Sequence, residues 1–420
     1  MTPATAPAAL PPFGLTGWPA ERLADPYPVY RRYRAAARVH RAEADGTVPT
    51  FYVLGHDEVA KVLSAPVYGR SPRRATGGAA PATVPDGHSA LRSMVENWLV
   101  FLDPPRHTEL RSVLNREFTP GVVTDLRGRV QDIAVGLLTE LTAEAARTGT
   151  VDLVERFSAP FPILVISELL GVDRTDWAWL REQAVGVQQA SSSRAALRPD
   201  AHLVAETAAR ALTSYFLELA ARRRAEPAAD LVSLLVSAQT RGEPLTDAEI
   251  VATCVHLMTA GHETTTNVLS KSVLTLTARP AQLARLRAAP LVPAPAVDEL
   301  VRFDPPVQAV TRWAYRDVVL GGHHVPRGSK LFAVLGAANR DPARFPDPDT
   351  LDLERGGRNL AFGLGIHYCL GAGLARTEIE IGLGLLLRAL AALGDSEIEE
   401  VHYPYDLVFH GPERLTLRLR

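Results

Sequence analysis

The order of apolar and polar positions divides the chain into long helical stretches joined by proline-rich turns. Alanine- and leucine-rich segments with helical spacing cover 124–148, 201–224, Asp247–Thr277 and 371–393. Short β-branched and aromatic runs predict strands at 50–53, 329–335 and 415–419. Loops are expected at the proline-rich start, at 71–87, near Pro293 and across 340–357, where Asp, Pro and Arg crowd together. No internal repeat or long linker interrupts this pattern. It predicts a mainly α chain with a small β component, one domain over 1–420, with 1–20 a flexible N-terminal extension.

Composition narrows the function. A chain of 420 residues with 46% hydrophobic residues buries enough surface to stand without disulfides or metal staples. Its two cysteines make neither a disulfide framework nor a thiolate zinc knuckle. A net charge of −2 argues against a nucleic-acid partner. Only three of the 45 basic residues are lysine: Lys61, Lys271 and Lys330. The start lacks the basic region of a signal peptide, and no uninterrupted apolar run approaches membrane length. A cytoplasmic protein with no membrane association, and a monomer, is the expectation.

The helix beginning after Thr246 is the clearest element. Thr246 and Glu249 have capping-box spacing, and the first half, I-V-A-T-C-V-H-L-M, is apolar nearly all round. Ala260-Gly261-His262-Glu263-Thr264-Thr265-Thr266 then interrupts it with poor helix formers and an acid. One reading is a polar face turning to solvent. The other is a helix loosened beside a cavity, where threonine bonds the preceding turn and the acid relays protons.

The second landmark is the glycine-rich F-G-L-G-I-H-Y-C-L-G, which includes Phe362, Gly363, His367, Cys369 and Gly371. Its glycines allow a tight loop, and Cys369 stands at the start of a helix, where unpaired N–H groups favour a thiolate. That arrangement suits a metal ligand or a nucleophile. A dinucleotide-binding reading is weak, because Tyr368 fills the third glycine position and no suitable strand precedes the loop. Cys254, inside the apolar helix, reads as core filler. Weaker signals are His107 and Arg111 on one face of a helix after Asp103-Pro104-Pro105, the pair Glu299 and Arg302, and Arg312 in an extended segment.

In order and spacing these pieces resemble the cytochrome P450 family over almost the whole chain. The resemblance implies a triangular fold enclosing heme between the long oxygen-activating helix and the cysteine-ligand helix. It implies heme b with Cys369 as axial ligand of the iron, in a loop that includes Phe362, Gly363 and Gly371. His107, Arg111, Arg312 and His367 would hold the propionates, and Glu263 and Thr264 would deliver protons for dioxygen activation. Glu299, Arg302 and Arg355 would form the buried structural network. Asn359 departs from the histidine common among bacterial relatives, so one propionate contact is expected to be weaker or replaced.

The expected activity is monooxygenation of a lipophilic small molecule, a secondary-metabolite or antibiotic intermediate, by hydroxylation or epoxidation. Electrons would come from a separate ferredoxin and ferredoxin reductase, docking near Arg344, Arg358 and Arg376. Pocket residues would include Trp98, Ala260, Val307, Val310 and Leu407, with a lid formed by 71–87 and the polar run after Val187. Alternatives are a ring-closing or coupling enzyme, a peroxide-dependent peroxygenase, a non-catalytic heme sensor, and a hydrolase using Cys369 with a histidine.

Overall fold

The computed structural model describes residues 10–42, 48–78, 84–190 and 198–419. Its helices that bear on the site are α1 (Arg106–Glu117), α2 (Pro120–Thr148), α3 (Pro160–Leu170), α4 (Trp177–Gln188), α5 (Ala201–Ala225), α6 (Asp247–Thr277), α7 (Ala294–Phe303) and α8 (Ala372–Glu378). The strands are β1 (Val39–Arg41), β2 (Thr50–Val53), β3 (Tyr68–Gly69), β4 (Thr150–Asp152), β5 (Ala309–Ala314), β6 (Val318–Leu320), β7 (His323–Val325), β8 (Lys330–Val334), β9 (Ser396–His402) and β10 (Arg414–Leu419). They form a five-stranded sheet in the order β1-β2-β8-β5-β3, a three-stranded sheet β4-β10-β9, and the β6-β7 hairpin. Only β2 and β8 pair in parallel; the other pairings are antiparallel.

The chain is mainly helical with small sheets, as the patterning predicts. Helix α6 passes through the main core. Ile250, Val251, Cys254, Val255 and Met258 are buried around its first half, which explains the absence of a polar face there. Its capping box is formed in full, with Thr246 accepting from the Glu249 N–H and Glu249 accepting from the Thr246 N–H. The expected loosening at Gly261 does not occur: α6 is continuous over 31 residues. The threonines return their hydroxyls to the helix, Thr264 to the Ala260 carbonyl and Thr266 to the His262 carbonyl, each at 2.8 Å. Gly261 is admitted for space, since a Cβ there would come within 2.9 Å of Ile166 on α3.

Two further expectations change. The segment 371–393 is helical, but it carries a π-helical turn at Ile379–Leu383 between α8 and the helix Gly384–Ala392. Gly382 in that turn lies so close to Phe161 of α3 that a Cβ would sit 2.5 Å from the ring. The flexible extension expected over 1–20 is corrected from residue 10 onward. Phe13 is buried, with its ring 5.0 Å from Tyr33 and 5.1 Å from Tyr52, because this aromatic surface gains more by burial than by solvation.

In the last third of α6, buried Lys271 donates to the Pro305 carbonyl at 3.0 Å and pairs with Asp304 at 2.5 Å. Its Nζ also lies 2.8 Å from His410 Nδ1, and Asp304 accepts from Tyr27 at 2.5 Å. This charge is tolerable in the interior because its donors have acceptors. Among the described residues, no helix is long and apolar enough to cross a membrane.

Candidate active site

The loop before α8 carries Cys369. Gly363 and Gly365 both have φ of +74°, which a side-chain-bearing residue adopts only with strain. Gly365 also packs against the helix His56–Ser64, where a Cβ would lie 2.8 Å from the Leu63 carbonyl oxygen. The Cys369 N–H closes the loop on the Phe362 carbonyl at 2.9 Å. Cys369 keeps exposed surface, although surrounding protein desolvates it and raises its thiol pKa. These two facts together place Sγ on the wall of an internal cleft.

The thiolate expected from the helix terminus is corrected for the free thiol. Burial outweighs the Gly371 N–H and the charges of Arg111 and Arg376, all of which favour ionisation. A cation at Sγ is needed to displace the proton. No group of three His, Cys, Asp or Glu side chains placed to hold a bare metal ion occurs among the described residues. A metal at Cys369 must therefore bring its other ligands with it, as a porphyrin does. Cys254, by contrast, is fully buried with its thiol pKa raised by burial, and it reads as core.

Basic side chains gather beside this cleft. His107 and His367 lie with ring centroids 4.3 Å apart. Among the described residues, neither nitrogen of buried His107 has a hydrogen-bond partner, nor has His367 Nε2. Burial and the neighbouring Arg312 push His367 down to about 2, and burial also lowers His107. Arg312 is buried, donates only to the adjacent Thr311 carbonyl at 2.9 Å, and is lowered by burial to about 10. Arg111 donates to the Tyr368 carbonyl at 2.8 Å.

Arg70, absent from the sequence-predicted set, joins them. It donates to the Thr311 carbonyl at 2.5 Å, its Nε is unpartnered, and burial with Arg312 pushes it down to about 9. Asp103 is the acid that acts on Arg70, Arg312 and His107, and it is held by the backbone N–H groups of Arg70 and Ser71 and by Tyr315. Three arginines against one aspartate form a desolvated site for anions. Two propionates beside Cys369 fit it in charge and in donor type. Asn359 does not take part: its side chain donates to the Asp298 carbonyl at 3.1 Å and accepts from the Ala361 N–H at 3.0 Å.

On the cleft side of α6, Ala260 is exposed and Gly261, Glu263 and Thr264 are half-buried, although most of the helix is buried. Next to Thr264, Thr265 donates to Glu378 of α8 at 3.0 Å. Glu378 is buried, its Oε1 has no partner, and burial pushes its carboxyl up to about 8. Its only sequence signal was an acid inside an apolar helix. Of the predicted pocket residues, Trp98, Val307 and Val310 are half-buried, whereas Leu407 is fully packed beside half-buried Val408 and Phe409. Phe409 reaches Val307 through a β-bridge. The run expected as a lid falls partly on 191–197, outside the described residues. Gln188, the first residue of that run, donates to the Thr259 carbonyl on α6 at 2.9 Å.

Glu299, Arg302 and Arg355 come together. Arg302 makes a two-pronged contact with Glu299 at 2.6 and 2.9 Å, and Arg355 Nε reaches Glu299 at 3.2 Å. No histidine hydrogen-bonds Cys369 among the described residues, so the hydrolase alternative lacks its base.

A helical fold that presents one cysteine to a cleft flanked by desolvated arginines and imidazoles defines a heme-thiolate oxygenase. The chain belongs to the cytochrome P450 family. The family model for cytochrome P450 matches residues 198–402. The chain is 38% identical over 402 residues to the cytochrome P450 monooxygenase PikC of Streptomyces venezuelae, covering 94% of this chain and 92% of that protein. Among solved structures, PksS of Bacillus subtilis 168, a cytochrome P450 of the bacillaene polyketide synthase, superposes with a TM-score of 0.84 at 30% identity, covering 97% and 99% of the two chains. P450BioI, solved in complex with an acyl carrier protein carrying hexadec-9Z-enoic acid, gives 0.84 at 29% identity over 96% and 99%. The protein is a monooxygenase, of a family that uses heme iron and O2 with electrons from redox partners.

The Glu378 carboxyl binds its proton more tightly folded than unfolded, so its contribution to stability falls as pH rises from 4.5 to about 8 and stays low above that. Glu378→Gln removes this cost. Unfolding midpoints measured from pH 5 to 9 should show the variant gaining on the parent as pH rises, by on the order of 2–4 kcal/mol at the upper end. Parallel pH curves would show that Glu378 ionises normally.

Proposed function

We propose that this protein, as a single domain over 1–420, inserts one oxygen atom of O2 into a lipophilic small molecule of secondary metabolism, by hydroxylation or epoxidation. The carrying observation is Cys369 at the wall of the cleft beside unpartnered His107 and His367 and the near-unpaired Arg312. Cys369 would be the axial ligand of heme b, with Phe362, Gly363 and Gly371 shaping the loop around it. His107, Arg111, Arg312 and His367 would hold the propionates, joined by Arg70 where Asn359 makes no contact. When bound, the heme supplies the iron at which O2 is activated.

The remaining chemistry falls to the chain. Thr264 and Glu263 would pass protons into the cleft from the middle of α6. Glu378, neutral at physiological pH, would hold a proton one residue away at Thr265. Trp98, Ala260, Val307, Val310 and the turn at 407–409 would exclude water and orient the substrate. PksS is a cytochrome P450 of a polyketide synthase, and P450BioI was solved in complex with an acyl carrier protein carrying a fatty acid. They support an oxygenated natural-product intermediate, free or carrier-bound, as the substrate. The acid–alcohol pair Glu263–Thr264 favours O2 over the peroxygenase alternative.

Ferredoxin would dock near exposed Arg344 and Arg358. Arg376 is a weaker candidate, because its side chain pairs with Asp298 at 2.8 Å and lies over the Phe362 ring. A cytoplasmic monomer completes the proposal.

The reduced, carbon-monoxide-bound protein should show the red-shifted Soret band of a thiolate-ligated heme, and Cys369→Ser should abolish it. A heme-free preparation, or an unshifted band in the parent, would overturn the reading. With ferredoxin and reductase, Thr264→Ala should yield about tenfold less product per electron consumed. Unchanged coupling would remove Thr264 from proton delivery. Arg344→Glu combined with Arg358→Glu should slow reduction by ferredoxin about three- to tenfold at low salt, with the difference closing as salt rises. Equal rates at all salt concentrations would place docking elsewhere.

A further inference from the structure

His256 stands on α6 one turn before Ala260 and two turns before Thr264, so all three share the face turned to the cleft. Its ring lies flat on Trp98, with centroids 5.0 Å apart and planes at 13°. Trp98 stacks in turn on Phe101 at 6.0 Å and 13°, and the Arg70 guanidinium covers Phe101 at 5.0 Å. This row of planes fixes the orientation of the imidazole. Neither His256 nitrogen is among the atoms sealed away from space, and neither hydrogen-bonds a described residue. The ring therefore offers polar atoms on the face of α6 that also carries Ala260. Burial and the charge of Arg70 push His256 down to about 4, which keeps it uncharged at neutral pH.

We propose that His256, held against Trp98, is a specificity-determining residue that hydrogen-bonds a hydroxyl or carbonyl oxygen of the substrate. A neutral imidazole has one donor and one acceptor nitrogen, so it serves either group. His256 and Thr264 are separated by ~12 Å of helix, eight residues at the helical rise. The ligand class is thus an oxygenated lipophile that is anchored by one oxygen function and oxidised at a distance from it. This deepens the proposed function and rests on Cys369 as the heme ligand.

The test uses the purified heme-containing protein and a panel of long-chain alcohols, ketones, steroids and macrolactones, each beside its deoxygenated parent. Binding is read from the shift of the ferric Soret band. At least one oxygenated member should bind about three- to tenfold more tightly than its parent, the size of one net hydrogen bond. His256→Phe, which keeps a ring against Trp98, should erase that difference while leaving the parent's affinity unchanged. His256→Gln should restore part of it. The proposal is overturned if no oxygenated member outbinds its parent, or if His256→Phe weakens both members equally. The carbon-monoxide band recorded on the same samples separates the two readings: its absence from the parent protein sinks the Cys369 assignment, and its presence without selectivity sinks only the role of His256.

Discussion

The buried contact between Glu299 and Arg302 holds the cysteine side of the molecule in place. Both are 2% exposed, so neither charge has water to fall back on. Glu299 also accepts from the Asp352 N–H at 2.9 Å, and Arg302 donates to the Asn339 and Pro348 carbonyls at 2.7 and 3.1 Å. Helix α7 is thereby fastened to a long stretch with little regular structure. Asn339 passes the constraint on, its side-chain oxygen accepting from the Leu360 N–H at 2.8 Å just before the cysteine loop. A buried pair of this kind rarely adds net stability over an apolar substitute, but losing one partner costs about 3–5 kcal/mol. Its value here is positional: it sets where Cys369 stands.

The cleft itself is an imbalance held open by that scaffold. Burial opposes the charge on Arg70, Arg312, His107 and His367, and it also opposes ionisation of Cys369. The sparsely bonded arginines, the uncharged histidines and the desolvated thiol are parts of one electrostatic deficit. A dianionic group that also carries a metal cation relieves it, so folding energy is stored as affinity for such a group.

Much of this was legible in the chain. The limits of α6 follow from the Thr246–Glu249 capping box and the sustained apolar run, and the cysteine loop follows from its glycines, because both signals are local. Glu299 and Arg302 were legible for the same reason, one helical turn apart. Arg70, His256 and Glu378 were not, since each gains its meaning from residues far along the chain: Thr311, Trp98 and Thr265 respectively. The threonines after Gly261 return their hydroxyls to the preceding turn, as one reading of the sequence had it, but this leaves α6 continuous rather than loosened. The order of the sheet, with β8 between β2 and β5, likewise left no mark on the sequence.

The scarcity of lysine has a practical side. Lys271 is sealed inside its network with Asp304 and His410, and Lys330 is half-buried with its ammonium 4.8 Å from the Phe332 ring centroid. Lys61 alone among the lysines stands exposed, on the helix His56–Ser64 whose end packs against Gly365. Amine-directed chemistry thus finds, besides the chain's own amino terminus, a single handle, and it lies on the helix that supports the cysteine loop. A fluorophore or surface linker attached there would report from, or orient, the face nearest Cys369, without any residue having to be engineered in.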